Sequence, residues 1–254
     1  MSSMHNIRET SLDGIRDVKV YQNINGYRFS VDAVLLYSFV NMKYACSIAD
    51  LGTGSGIIGL LLARKYGNAK VLLVELQKSL YALAEKNIML NGLEKRVNVV
   101  LSDIKEMKEK ALPLSYDLVV SNPPFRKPSS GRISVGEEKA VARHELRLTL
   151  SDLTETASYL LKPRGRFCMI FHPERLPEAI DTLRRNLLEP KRIRFVHNDP
   201  DAVSKIVLIE SAKCGRAGIR VEKPLFIYDK NGRYTAEVNE MYGRQQPEIK
   251  PVDL

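Results

Sequence analysis

From Ser47 onward, short apolar runs rich in β-branched residues alternate with longer segments of helical period, and this alternation leaves few folds open. Residues 47–51, 70–76, 96–102 and 116–122 read as strands, and 166–171, 192–196 and 205–210 extend the series to seven. Helices are expected from Ile57 to about Tyr66, around 80–91 with a stop at Asn91-Gly92, as a short charged turn at Glu106 and Lys108, and over 176–188. A further helix runs from Ser151, a candidate N-cap with Glu155 nearby, to Leu161. Near-continuous apolar strands alternating with helices imply a parallel sheet covered on both faces. The expected fold is therefore α/β, a seven-stranded, mostly parallel, Rossmann-like sheet with helices on either side.

A chain of 254 residues suits one such domain. We divide it into an N-terminal cover (1–44), a core (45–213) and a C-terminal hairpin turning at Asn231-Gly232 with a tail after Tyr242 (214–254). With 44% hydrophobic and 27% charged residues the composition excludes wholesale disorder. Cys46, Cys168 and Cys214 are odd in number and far apart, so neither a disulfide framework nor a cysteine zinc site is expected, and each should sit reduced and buried. His5, His144, His172 and His197 are scattered, which points to a metal-free site. No apolar run approaches the ~20 residues that span a bilayer, so a cytoplasmic protein without membrane contact is expected. Nothing here fixes the oligomeric state.

Charge is the first functional sign. The formal net charge of +9 favours a polyanionic partner, RNA or DNA first. Nine basic residues against four acidic ones fall between Lys162 and Arg194, which makes Arg184 and Arg185 candidate substrate contacts.

Between the first strand and first core helix lies Asp50-Leu51-Gly52-Thr53-Gly54-Ser55-Gly56-Ile57-Ile58-Gly59. Glycines are wanted where the backbone must turn sharply and approach a ligand beneath a helix N-terminus. Gly54, Gly56 and Gly59 spell a dinucleotide-type G-x-G-x-x-G, a weak signal by itself. Three carboxylates shift the reading: Asp50 precedes the loop, Glu75 ends the second strand where it can accept both ribose hydroxyls, and Asp103 follows the third where it can accept an adenine amino group. Together they describe a nucleoside that carries an ammonium group.

Asn122-Pro123-Pro124-Phe125 follows the fourth strand, and Pro123-Pro124 breaks the alternation ahead of a loop at about 126–141. An exocyclic or amide NH2 is a poor nucleophile because its lone pair is delocalised. Acceptors aimed at its protons localise that pair: the Asn122 side-chain oxygen and the Pro123 carbonyl can accept, while Phe125 offers a face for a planar group. No strong general base is needed.

The run from Asp50 to Gly56, with Glu75 and Asp103, resembles class I S-adenosylmethionine-dependent methyltransferases. That resemblance implies a glycine loop (Gly52, Gly54, Gly56) beside the methionine portion, Glu75 on the ribose and Asp103 facing the adenine. Asp50, Thr53, Leu76, Ile104 and Asn122 complete the cofactor candidates. The tetrapeptide at 122–125 resembles the motif of amino-methyltransferases acting on adenine N6, cytosine N4 or glutamine, although many of those have Tyr where this chain has Phe125. The segments at 26–39 and 142–145, with the late Pro-Leu-Phe-Ile-Tyr-Asp run, extend the likeness to the bacterial tRNA1(Val) adenine-37 N6-methyltransferase family. By that likeness Phe29 and Asp32 join the cofactor site and Arg143 and His144 the RNA contacts; Arg126 and Lys127 are further substrate candidates. The resemblance implies methyl transfer to an adenine N6 in RNA, most naturally a tRNA loop. A protein-glutamine N5-methyltransferase and a silent RNA-binding module are the alternatives.

Overall fold

The computed structural model describes residues 10–23, 31–123 and 148–243. Its chain opens with β1 (Thr10–Ile15), β2 (Val18–Asn23) and α1 (Val31–Phe39). The core follows as β3 (Ser47–Leu51), α2 (Ile57–Lys65), β4 (Lys70–Glu75), α3 (Lys78–Leu90), β5 (Val97–Leu101), a 3-10 turn (Ile104–Glu106) leading into α4 (Met107–Lys110), and β6 (Tyr116–Ser121). Then come α5 (Leu150–Leu160), β7 (Leu161–Phe171), α6 (Leu176–Arg185), β8 (Leu188–His197), β9 (Ser204–Lys213), β10 (Arg220–Val221), β11 (Leu225–Phe226) and α7 (Ala236–Tyr242).

One sheet runs β10-β8-β9-β7-β6-β3-β4-β5, with β11 also paired to β8. Its seven longer strands are the seven expected from sequence, and β9 alone runs against the others. Because side chains alternate across a strand, neighbouring residues feed separate cores. Ile48, Val71, Leu73, Leu118 and Val120 pack with α1, α2 and α3, whereas Ala49, Leu51, Val74 and Val119 pack with α4, α5 and α6. Burying both faces is what makes these strands apolar throughout.

The sequence carried no strand expectation for residues 10–23, yet a hairpin forms there, turning through Arg16 at φ 52°. Two asparagines one helical turn apart hold it, Asn87 on α3 and Asn91 at its C-cap. The Asn87 side chain accepts from the Tyr21 N–H at 2.7 Å and donates to its carbonyl at 3.1 Å, and Asn91 does the same for Lys19 at 3.0 and 2.7 Å. Each amide side chain thus imitates a strand partner.

Other expectations are corrected. The cap of α5 is Thr149, not Ser151: Thr149 and Asp152 form a reciprocal capping box that satisfies the first helical N–H groups. Cys46 and Cys214 are exposed, and Cys168 alone is buried, where burial pushes its thiol up. The C-terminal hairpin shrinks to a single Tyr228–Tyr234 bridge around Asn231-Gly232, because β11 pairs in parallel with β8 and α7 follows.

Candidate active site

Gly52, Gly54 and Gly56 adopt φ of 74°, 61° and 92°, a left-handed backbone that favours glycine. The turn they make is tied to β4, since the Gly52 and Thr53 N–H groups both donate to the Val74 carbonyl, at 2.9 and 3.0 Å. Gly59 serves packing: a Cβ there would lie 2.2 Å from Leu73 Cδ2. The literal G-x-G-x-x-G therefore joins two loop glycines to one that lets α2 press on the sheet.

The carboxylates occupy the expected strand ends, and each already has backbone partners. Glu75, 5% exposed, accepts from the Gly54 N–H (2.9 Å) on Oε2 and from the Gln77 N–H (2.8 Å) on Oε1. Asp103 Oδ1 accepts from the Lys105 N–H at 3.0 Å and caps the 3-10 turn. Asp50 is fully buried; its Oδ2 accepts from Thr53 Oγ1 at 2.6 Å and from the Gly59 N–H at 3.0 Å, while Oδ1 has no partner. Burial pushes the Asp50 carboxyl up to about 6, with Glu75 adding to the rise and the two hydrogen bonds opposing it. Asp50 thus braces the loop from inside.

Asn122 and Pro123 leave the carboxyl end of β6, half-buried. β6 neighbours β3, and Ser121 Oγ donates to the Leu51 carbonyl at 2.7 Å, so the Asn-Pro step emerges beside the glycine turn. Leu76 stays 38% exposed next to Glu75, and Ile104 is buried opposite Gly52, whose Cβ would meet Ile104 Cδ1 at 3.9 Å. α1 descends to the amino edge of the sheet, where the Val40 carbonyl accepts from Lys65 near the end of α2, so Asp32, buried in the first turn of α1, belongs to the opposite, glycine-loop edge. Phe29, Phe125, Arg126, Lys127, Arg143 and His144 lie outside the described residues.

Arg184 and Arg185 are not brought to this site. They end α6, which runs back from the carboxyl to the amino edge, and each meets a carboxylate: Arg184 with Glu189 at 3.1 Å, Arg185 with Asp181 at 2.8 Å. The basic run disperses in the same way, with Lys162 on Asp117, Arg175 on Glu178 and Arg194 on Glu237. Arg192 is 8% exposed, bonded to Glu210 at 2.7 Å and to the Phe39 carbonyl, with its guanidinium 4.0 Å from the Phe39 ring centroid. It is a clamp between α1 and the sheet.

Sequence reasoning missed Asn87 and Ser121. The Asn87 Nδ2 also donates to the Ser55 carbonyl at 2.9 Å, which links hairpin, α3 and glycine loop. A polar residue in the apolar stripe Leu80, Leu83, Ala84, Ile88 was the available signal. Among the described residues no group of three or more His, Cys, Asp or Glu could hold a metal ion, and no helix is long and apolar enough to cross a membrane.

The family model of the methyltransferase small domain matches residues 29–189. A tRNA1(Val) (adenine(37)-N6)-methyltransferase of Parabacteroides distasonis is 31% identical over 183 residues, covering 72% of this chain and 76% of the relative. One from Phocaeicola vulgatus is 28% identical over 227 residues, covering 88% and 94%. Among solved structures, a predicted O-methyltransferase of Agrobacterium tumefaciens superposes with a TM-score of 0.67 at 24% identity, covering 83% of this chain and 95% of that one. Pyrococcus horikoshii TYW2 in complex with MeSAdo gives 0.57 at 16% identity, covering 82% and 72%. At these identities the structural likeness shows the fold alone.

Proposed function

The chain belongs to the methyltransferase small domain family and to the bacterial tRNA1(Val) adenine-37 N6-methyltransferase family, and from that premise we propose that it methylates the N6 amino group of an adenine in RNA, a tRNA loop above all. The observation that carries the reading is the Ser121–Leu51 hydrogen bond, which seats the Asn-Pro step beside the glycine turn.

The residues present fit S-adenosylmethionine. Left-handed glycines offer bare backbone to its methionine portion, Glu75 places a buried carboxylate at the strand end for vicinal hydroxyls, and Leu76 and Ile104 supply apolar surface for a purine beside Asp103. When bound, this cofactor supplies an electrophilic methyl group. The chain's own part is to prepare the acceptor. We assign the Asn122 side-chain oxygen and the Pro123 carbonyl to the two amino protons; these bonds localise the lone pair and strengthen as the nitrogen becomes tetrahedral. The extra proton then leaves to water without a strong base. An amino group paired in a stem is blocked, so the base must be unpaired or flipped out. Such a protein belongs in the cytoplasm with its RNA.

Incubating the protein with labelled cofactor and fractionated cellular RNA and protein tests this. Label is expected in the tRNA pool; label in protein alone would sink it.

A further inference from the structure

The site lies at the carboxyl edge of the sheet, yet a row of exposed cations lies at the other edge. Lys70 opens β4, and Lys95 lies just ahead of β5. Lys43 precedes β3, Arg164 sits in the bulged start of β7 with φ 65°, and Arg216 follows β9. All five are exposed, and among the described residues none has a carboxylate within ion-pair distance. Apart from Glu94, the acids near this edge are engaged: Asp117 is held by Lys162 and by the Cys46 and Ser47 N–H groups, and Glu189 and Asp181 pair with Arg184 and Arg185.

These cations follow strand order. From β5 to β9 the row crosses five strand spacings, about 24 Å at ~4.8 Å each. A cleft of about 380 Å³ opens at its β4–β5 end, where the short α4 leaves the sheet face uncovered, and Lys70, Lys95, Asn98 and Tyr116 line it. Glu94 is the acidic residue on its wall. Beside Lys43, Tyr44 is 72% exposed, an aromatic face next to a cation. Exposed cations in a row, neutral donors and an accessible ring suit a phosphate backbone more than a protein partner, whose contact centre is usually depleted of lysine.

We propose that this amino edge is a second RNA-binding surface, which holds the phosphate backbone of the substrate RNA at a distance from the adenine being methylated. The inference rests on the methyltransferase reading above. β6 separates the two edges by six residues, about 20 Å at ~3.3 Å per residue. Only an RNA long enough to reach around the molecule meets both.

The test compares whole tRNA with a short oligonucleotide carrying the target loop, by anisotropy across a salt series. The variant is Lys70→Glu with Lys95→Glu and Arg164→Glu; the matching Gln triple serves if the reversal does not fold. Affinity for whole tRNA should fall at least tenfold, and the slope of log K against log salt should flatten by about 2 to 3, the loss expected for three phosphate contacts. Cofactor affinity and turnover on the short oligonucleotide should not change. Superimposable salt curves for wild type and variant would overturn the surface, as would equal losses on both RNAs; unchanged RNA binding with a new defect toward an acidic protein would reassign it. Failure of the wild type to methylate any RNA would instead break the underlying reading, and the surface with it.

Discussion

Glu75 Oε2 accepts the Gly54 N–H at 2.9 Å, so the carboxylate assigned to the cofactor ribose also pins the middle of the glycine loop. Binding and loop geometry are coupled through one side chain. Glu75→Ala should weaken S-adenosylmethionine by about 1 to 3 kcal/mol, the scale of lost charge-assisted bonds. Calorimetry reads this directly, and an unchanged dissociation constant would refute the assignment.

Asp50 makes a prediction about pH. Folding raises its carboxyl from the ordinary aspartate range to about 6. Its contribution to stability is therefore complete below about pH 4 and is lost as pH rises through the folded value. Asp50→Asn keeps an oxygen for Thr53 and Gly59 but cannot ionise. Between pH 5 and 8 the stability difference between variant and wild type should move in the variant's favour by on the order of 1 kcal/mol. Urea unfolding at the two pH values measures it; parallel behaviour would mean that Asp50 is not the titrating group.

Gly59→Ala tests the packing role of the third glycine. A methyl 2.2 Å from Leu73 Cδ2 must displace a fully buried leucine, at a cost of about 1 to 3 kcal/mol. Combining it with Leu73→Ala should give less than the sum of the two single losses, and strict additivity would show that the clash is relieved elsewhere.

Arg192 and Arg184 lie close together in the basic run and should behave differently. Arg192→Ala leaves the buried Glu210 with Arg166 at 3.8 Å as its ion-pair partner and should cost about 3 to 5 kcal/mol, whereas Arg184→Ala removes a surface pair worth about 0 to 1 kcal/mol. Equal effects in chemical denaturation would contradict the clamp.

That contrast shows where the sequence could be read and where it could not. The strands β3 to β6 and the glycine turn were legible because periodicity and the need for positive φ are local properties. The basic residues summed over 162–194 did not reveal which of them are already paired, since the partner of Arg192 is eighteen positions away in sequence and reaches it only through β8–β9 pairing. The N-terminal hairpin was invisible for a similar reason: it turns on Arg16 rather than glycine, and its anchors Asn87 and Asn91 lie on and at the end of a distant helix. The strand-end places of Asn122 and Glu75 were legible, but the backbone bonds that already occupy Glu75 were not.

The central claim is that Asn122 prepares an adenine amino group for methyl transfer, and the single-turnover rate of Asn122→Ala on tRNA, read as N6-methyladenosine after digestion, tests it most directly. Wild type should yield that nucleoside. The variant should bind cofactor and RNA normally and transfer methyl roughly a hundredfold more slowly, as expected for the loss of one transition-state contact of about 3 kcal/mol. An unchanged rate, or a wild-type product other than N6-methyladenosine, would contradict the account.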